Sequence, residues 1–367
     1  MPTKTSITLK PEQADRLKQF IDSKFFNYGS VDVAKSSYWQ YHSSQLVTEI
    51  DSPGSVRVSG ESGFYVPPPS SFIKRSLLKL VKAFQHPSLI GTALRGNFQT
   101  RFGTHRLMSY RDAFDAVMNH DAISDSDLSP WRVNHLNLAR KPNVFPSSAS
   151  IEKRYQSWSS YAASPSIINH YYYQNLMRSF ISGTELRTVL EIGAGNGNFS
   201  SIIFHEWSPV RLILVDLPET ICLAFSFLSN LFPEARIVLP TELEQGLPEQ
   251  FDFALLTVDQ LDLVESDSVD LAINCHSFQE MTQAQIAIYF VFIQRICRNL
   301  GYFFTANRID KIPCGPDSLT QEQLEPPNRF AEYPWDVHNK VLIYEISRLL
   351  RLVQLDDVAI RLEQIHK

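Results

Sequence analysis

Residues 188–199 read T-V-L-E-I-G-A-G-N-G-N-F. Val189, Leu190 and Ile192 surround Glu191 in the pattern of a short buried strand. Gly193, Gly195 and Gly197 then stand at alternate positions, where the strand gives way to a helix. Glycine permits the sharp backbone turn and leaves no Cβ between the chain and a ligand. Two familiar phosphate-binding turns are excluded. Asn198 occupies the place of the third glycine in G-x-G-x-x-G, and no Lys-Ser/Thr pair follows as in a P-loop.

Residues 210–216, V-R-L-I-L-V-D, form a second buried strand ending in a carboxylate. Residues 199–207 between the two strands are long enough for a crossover helix. In a doubly wound fold, Asp216 holds the place of the acid that accepts hydrogen bonds from ribose hydroxyls. Its two oxygens match two adjacent hydroxyls. A nicotinamide cofactor would use the same acid, so the glycine spacing has to separate the two. An acid two residues before a G-x-G-x-G turn resembles motif I of class I S-adenosylmethionine-dependent methyltransferases. The resemblance implies that Glu191 helps hold the amino end of the methionine moiety and that the three glycines line the cofactor.

The 367-residue chain exceeds one compact α/β domain, which predicts a domain with a sizeable extension. With 44% hydrophobic and 20% charged residues the composition is that of a globular protein. A net charge of −5 argues against a general nucleic-acid binder. Cys222, Cys275, Cys297 and Cys314 contain no C-x-x-C pair, so neither a zinc site nor a disulfide framework is indicated. Reduced thiols, an N-terminus without an apolar signal core and the lack of any membrane-spanning run fit a cytoplasmic protein. Oligomeric state leaves no mark in the sequence.

From residue 151 onward, strands and helices alternate. Helices are expected at 166–181, 218–231 and 283–299, and strands at 251–257, 269–274 and 301–306. Such βα alternation predicts a Rossmann-like, mostly parallel, doubly wound sheet. Residues 341–346 and 358–365 fit either a final antiparallel pair or an amphipathic helical tail. Residues 1–150 lack this regularity and are expected to be a mainly helical N-terminal region, with helices at 11–26, 71–85 and 110–119, that would bind the acceptor or act as a lid. The boundary is expected at 142–150, and 151–367 would be the methyltransferase domain.

Residues 274–281 read N-C-H-S-F-Q-E-M directly after the strand at 269–274. Strand C-terminal ends face the ligand crevice in open α/β sheets, which aims Asn274, His276 and Glu280 at the cofactor. A sugar hydroxyl is hardly ionised near neutrality, so its methylation needs a base. Histidine suits that task with a carboxylate to orient it. If the loop turns helical, Glu280 shares a face with His276. This stretch, the following Tyr289-Phe290 and the strand G-Y-F-F-T-A-N-R at 301–308 resemble the sugar O-methyltransferase family, from about residue 161 to the C-terminus. The resemblance implies a small hydroxylated acceptor.

Asn307 and Arg308 offer donors to sugar hydroxyls or a substrate phosphate. Residues 333–340, Y-P-W-D-V-H-N-K, bring Trp335 to stack on a sugar face and His338 as a rival base. Asp259, after the strand at 251–257, is placed to accept from the adenine amine. Asp252, Asp259, Asp262 and Asp270 form no compact oxygen-ligand motif, which favours a metal-free mechanism. Between Arg57 and Tyr110, eight basic residues stand against Glu61 alone, a charge suited to a nucleotide- or lipid-linked sugar, to a membrane surface or to a solvated face. Two alternatives stay open: the same fold acting on a non-sugar alcohol, phenol or amine, and a non-catalytic subunit that only binds cofactor or a partner.

Overall fold

A computed structural model describes residues 5–26, 36, 39, 47–51, 55–59, 165–182, 185–207, 210–311, 326–347 and 358–367. Two compact units divide the chain: residues 1–65, 176–347 and 356–367 in one, and 66–175 with 348–355 in the other. The helices expected at 71–85 and 110–119, the boundary at 142–150, Cys314 and the basic side chains between Arg57 and Arg106 lie outside the described residues.

The N-terminal segment contributes β1 (Thr5–Thr8), α1 (Pro11–Ile21), β2 (Val47–Asp51) and β3 (Ser55–Ser59). The three strands form an antiparallel sheet in the order β1-β3-β2. The described part of this segment thus carries three short strands beside the helix that was expected from residue 11. The pairing of residues 5–8 with 55–58 is non-local and left no periodic signal. In α1, Pro11 opens the first turn, where a missing N–H costs nothing. Leu17 and Phe20 are fully buried.

The remaining elements are α2 (Pro165–Arg178), β4 (Thr188–Ile192), α3 (Asn198–Trp207), β5 (Arg211–Asp216), α4 (Pro218–Leu231), β6 (Ile237–Val238), β7 (Phe253–Thr257), β8 (Val269–Cys275), α5 (Gln283–Ile296), β9 (Cys297–Arg308), β10 (Asp310–Lys311), β11 (Asn328–Arg329), β12 (Lys340–Ser347) and β13 (Val358–Gln364). Eight strands form one sheet in the order β12-β13-β9-β8-β4-β5-β7-β6. All neighbours pair in parallel except β13, which is antiparallel to both β9 and β12. The fold is thus a Rossmann-like α/β sheet closed by an antiparallel pair, not a helical tail. Every residue of β4, β7 and β8 is buried, as in parallel strands covered on both faces.

Strand β4 has β5 on one side and β8 on the other, so the order reverses there and a crevice opens at the C-terminal ends. Register keeps those ends level: Ile192 lies opposite Val215 and Asn274, Asp216 opposite Thr257, and Cys275 opposite Ala306. The other edge is tied by Asp270, whose Oδ2 accepts from the Arg187 and Thr188 amides at 2.5 and 2.8 Å while Oδ1 pairs with Arg298. At the outer edge, Arg16 of α1 donates to the Ile237 carbonyl of β6 and to both carboxylate oxygens of Glu242. That clamp occupies an edge strand of only two residues, which would otherwise offer unpaired backbone.

Candidate active site

Two buried carboxylates stand at the crevice. Glu191, the penultimate residue of β4, accepts from the Ser200 amide at 3.1 Å and its hydroxyl at 2.5 Å. Asp216, at the end of β5, accepts from the Gly195 amide on Oδ2 (2.6 Å) and from the Leu217 amide on Oδ1 (2.7 Å). One N–H per oxygen leaves Asp216 capacity for further donors. Burial raises the Glu191 pKa from 4.5 to about 8, and the nearby Asp216 charge adds to the rise. Burial likewise pushes Asp216 up to about 7. Carboxylates this desolvated gain most from a ligand that brings a cation or hydroxyl donors.

Gly193, Gly195 and Gly197 all have positive φ, at 69°, 60° and 78°. At Gly195 that turn aims the amide at Asp216. Gly193 has a second reason to lack a side chain, because a Cβ there would stand 2.0 Å from Ser277 Oγ. The turn after β4 and the loop after β8 therefore touch directly. Glycine at 193 serves this protein contact as well as any approach of a ligand.

The loop after β8 is held from several sides. Asn274 donates to the Ile192 carbonyl at 3.0 Å and to Ser277 Oγ at 2.5 Å, while its own oxygen accepts from Asn307 at 2.9 Å. Ser277 Oγ donates onward to the Ile192 carbonyl. Asn307 also donates to Thr305 Oγ1 and accepts from the Gln279 amide. Asn274 and Asn307 are both completely buried. This corrects their expected roles: they frame the crevice instead of offering groups to cofactor or acceptor.

Phe278 is the loop's anchor, fully buried with its ring 5.8–6.4 Å from those of Tyr289, Phe290, Phe303 and Tyr333. Behind it, Asn328 donates to the Phe278 and Met281 carbonyls, and Ser36 donates to the carbonyl of Glu280. Thr282 and Gln285 then form a reciprocal capping box that starts α5.

His276 precedes this anchor with φ of 61°, a left-handed conformation unusual for a residue with a side chain. Its amide donates to the Ala306 carbonyl at 2.8 Å. Burial and the charge of Arg308 lower the imidazole pKa to about 4, opposed by a hydrogen bond with the Gln279 side chain. Gln279 Oε1 also accepts from the Arg308 amide at 2.8 Å. Glu280 ends a short 3₁₀ turn, Phe278–Glu280, that begins only after His276. The condition for a shared helical face is therefore unmet.

The remaining candidates separate. Arg308 is partly buried at the end of β9, beside His276. Asp259 is exposed in the 3₁₀ turn Val258–Leu263, directly after β7 and on the crevice edge. Trp335 instead packs with Phe290, Phe303, Phe330 and Tyr333; its Nε1 donates to the Phe330 carbonyl, and the Arg361 guanidinium lies 4.2 Å over its ring. A stacking role for Trp335 on a sugar is replaced by this packing.

His338 is exposed, with Nδ1 2.9 Å from Asp336 Oδ1. It precedes β12, which starts at Lys340 opposite Gln364, and Gln364 in turn pairs with Tyr302 near the start of β9. The crevice lies beyond Ala306, four residues further, or about 13 Å at about 3.3 Å per residue. His338 thus belongs to the opposite edge of the sheet and is removed as the rival base. Asp270 belongs to that edge too, and Asp252 accepts from the Arg236 amide. Among the described residues no group of three or more His, Cys, Asp or Glu side chains is arranged to hold a metal ion.

Sequence reasoning passed over Ser200, Ser277, Gln279 and Asn328. Ser277 and Gln279 lie inside the quoted N-C-H-S-F-Q-E-M stretch, so their nearness to the crevice was legible. Ser200 sits in the first turn of α3 and Asn328 on a short distant strand, and neither carries a local signal.

The sequence matches no protein-family model and no curated relative. Among solved structures it resembles an S-adenosylmethionine-dependent methyltransferase from Aquifex aeolicus, with 13% identity over 60% of this chain and 100% of that one, at a TM-score of 0.38. One from Leishmania major shows 11% identity over 68% and 91%, at 0.37. Phosphoethanolamine N-methyltransferase 1 of Haemonchus contortus, solved with phosphoethanolamine and S-adenosylhomocysteine, shows 13% identity over 60% and 49%, at 0.36. Strand order and register, not these likenesses, define the fold of this chain.

Proposed function

We propose that this protein is an S-adenosylmethionine-dependent methyltransferase acting on a sugar hydroxyl. The observation that carries the cofactor is the buried pair Glu191 and Asp216 flanking the glycine turn, with the Gly195 amide on Asp216. A zwitterionic nucleoside with a methionine tail fits both: an ammonium group for Glu191 and a ribose diol for Asp216. Asp259, at the end of the neighbouring strand, is assigned to the adenine amine. The sugar rests on the resemblance of residues 274–281 and 301–308 to sugar O-methyltransferases; both segments meet at the crevice through Asn274 and Asn307.

Bound S-adenosylmethionine supplies an electrophilic methyl group, and the chain supplies everything else. With that group bound, a ring nitrogen of His276 would take the proton of the acceptor hydroxyl as its oxygen is methylated. Burial and Arg308 keep that imidazole neutral at pH 7, so a ring nitrogen is free to accept it, as a base weaker than an ordinary histidine. Arg308 holds the acceptor by its hydroxyls or by a phosphate, and Glu280 lines the same turn. No step requires a metal ion. We place the reaction in the cytoplasm, where the buried, unpaired Cys222, Cys275 and Cys297 would stay reduced. Among the described residues no helix is long and apolar enough to cross a membrane.

Isotope-labelled S-adenosylmethionine incubated with free, nucleotide-linked and lipid-linked sugars tests this reading. An O-methylated sugar is expected, with turnover unchanged by EDTA. Methylation confined to amines or phenols would overturn the sugar; loss with EDTA and recovery with Mg²⁺ would overturn the metal-free route.

A further inference from the structure

The loop between β8 and α5 offers His276 a partner that is neither acidic nor basic. Gln279 is almost fully buried, and three of its contacts fix it in place: its amide on Asn307 Oδ1, its Oε1 under the Arg308 amide, and its side chain on the imidazole. The bond to Arg308 settles which end of the side-chain amide faces this cluster, since only the oxygen accepts. An oxygen can take a second hydrogen bond, and a neutral imidazole has one N–H to give. Phe278, locked in the aromatic core, keeps this loop in register with β9.

We propose that Gln279 is the positioning residue of His276: its carbonyl oxygen accepts the imidazole N–H, fixes one tautomer and leaves the other ring nitrogen as the free base. This rests on the reading of His276 as the base of the reaction above. A neutral acceptor orients the ring and favours imidazolium only weakly, whereas a carboxylate would favour it strongly. The charged side chain acting on the ring is Arg308 from the end of β9, which with burial favours the neutral form against the Gln279 bond. Burial and Arg308 outweigh that bond, so the ring stays unprotonated across the neutral range. The chain has ten histidines, so a single ring must be followed by site.

Ring-¹⁵N histidine labelling with long-range ¹H–¹⁵N spectra tests this, the His276 signals being those lost in His276→Ala. In the wild-type protein one tautomer is expected, neutral down to about pH 5, with a midpoint at about 4. In Gln279→Glu the Arg308 amide keeps an oxygen acceptor, and the His276 midpoint should rise by about 1–3 pH units. A folded Gln279→Glu whose His276 midpoint does not move overturns the proposal. Should that variant not fold, the wild-type spectra decide: a mixture of tautomers at His276 overturns the proposal as well. Calorimetry with S-adenosylhomocysteine on the same samples keeps the two readings apart. Failure to bind would refute the cofactor while leaving the ring measurement intact.

Discussion

His276 and His338 follow or precede strands of one sheet, and each was a reasonable base from sequence. They differ in which edge they occupy. His276 leaves a parallel strand at its C-terminal end, the same end of the sheet as two desolvated carboxylates and a glycine turn. His338 leads into a strand at the opposite edge, exposed and bonded to its neighbour Asp336. Asp336 is held below its ordinary pKa by those bonds, a local surface pairing with no tie to the crevice. Local chemistry looked alike at the two sites; register through β9, β13 and β12 distinguishes them. The same contrast applies to carboxylates, since Glu191 and Asp216 gather at one edge and Asp270 serves as a clamp at the other.

If the comparison is right, substitutions at the crevice edge should be costly and those at the far edge silent. The largest effect is expected for His276→Ala, with turnover falling by roughly 10²–10⁴-fold, the usual contribution of a positioned base. Cofactor affinity should hardly change. For the wild-type protein, turnover should persist to acidic pH and decline only as the medium approaches about pH 4, where the imidazole protonates. A decline centred near 6.5 would show that burial and Arg308 do not act on this ring as described.

Phe278→Ala probes the anchor behind the loop. Removing this fully buried ring should cost about 3–5 kcal/mol in denaturant unfolding, the range for an aromatic truncated in a core. A loss below about 1 kcal/mol would mean that the loop collapses onto the gap without strain. Asp216→Ala removes an acceptor that the backbone already orients. Its expected cost is about 1.5–3 kcal/mol of cofactor affinity, the scale of a hydrogen bond to a charged group. Unchanged affinity would assign the ribose to other residues. The smallest effect is expected for His338→Ala, which should leave turnover within the error of the assay; a collapse there would reverse the two edges.

The crevice was legible because its parts are local patterns. Glu191, the three glycines and Asp216 each sit at a strand end that short-range hydrophobicity marks, and helix α4 occupies the expected residues 218–231. Asn274, Asn307 and Trp335 were misread for the opposite reason. They stand at plausible positions, but their hydrogen bonds and ring contacts come from residues far away in sequence. Asn307 reaches Asn274 across 33 positions, and Asn274 reaches Ile192 across 82. Polar residues at a strand end look the same whether they face a ligand or brace a neighbouring strand. The β1–β3 pairing was hidden likewise, because its partners lie some fifty residues apart.

The carboxylate pair at the crevice is the centre of this account, and it makes a signed prediction. Glu191 and Asp216 have folded-state pKa values raised above those of the unfolded chain, so in the ligand-free protein their contribution to stability is present at low pH and is lost as pH rises to about 8. An ammonium ligand reverses this by favouring the ionised form. Calorimetric titration with S-adenosylhomocysteine at pH 7, in two buffers of different ionisation enthalpy, measures both terms at once. Binding with release of about one proton or more is predicted, with the release diminished in Glu191→Gln and with no binding of NAD. Binding of NAD without binding of S-adenosylhomocysteine would contradict the account.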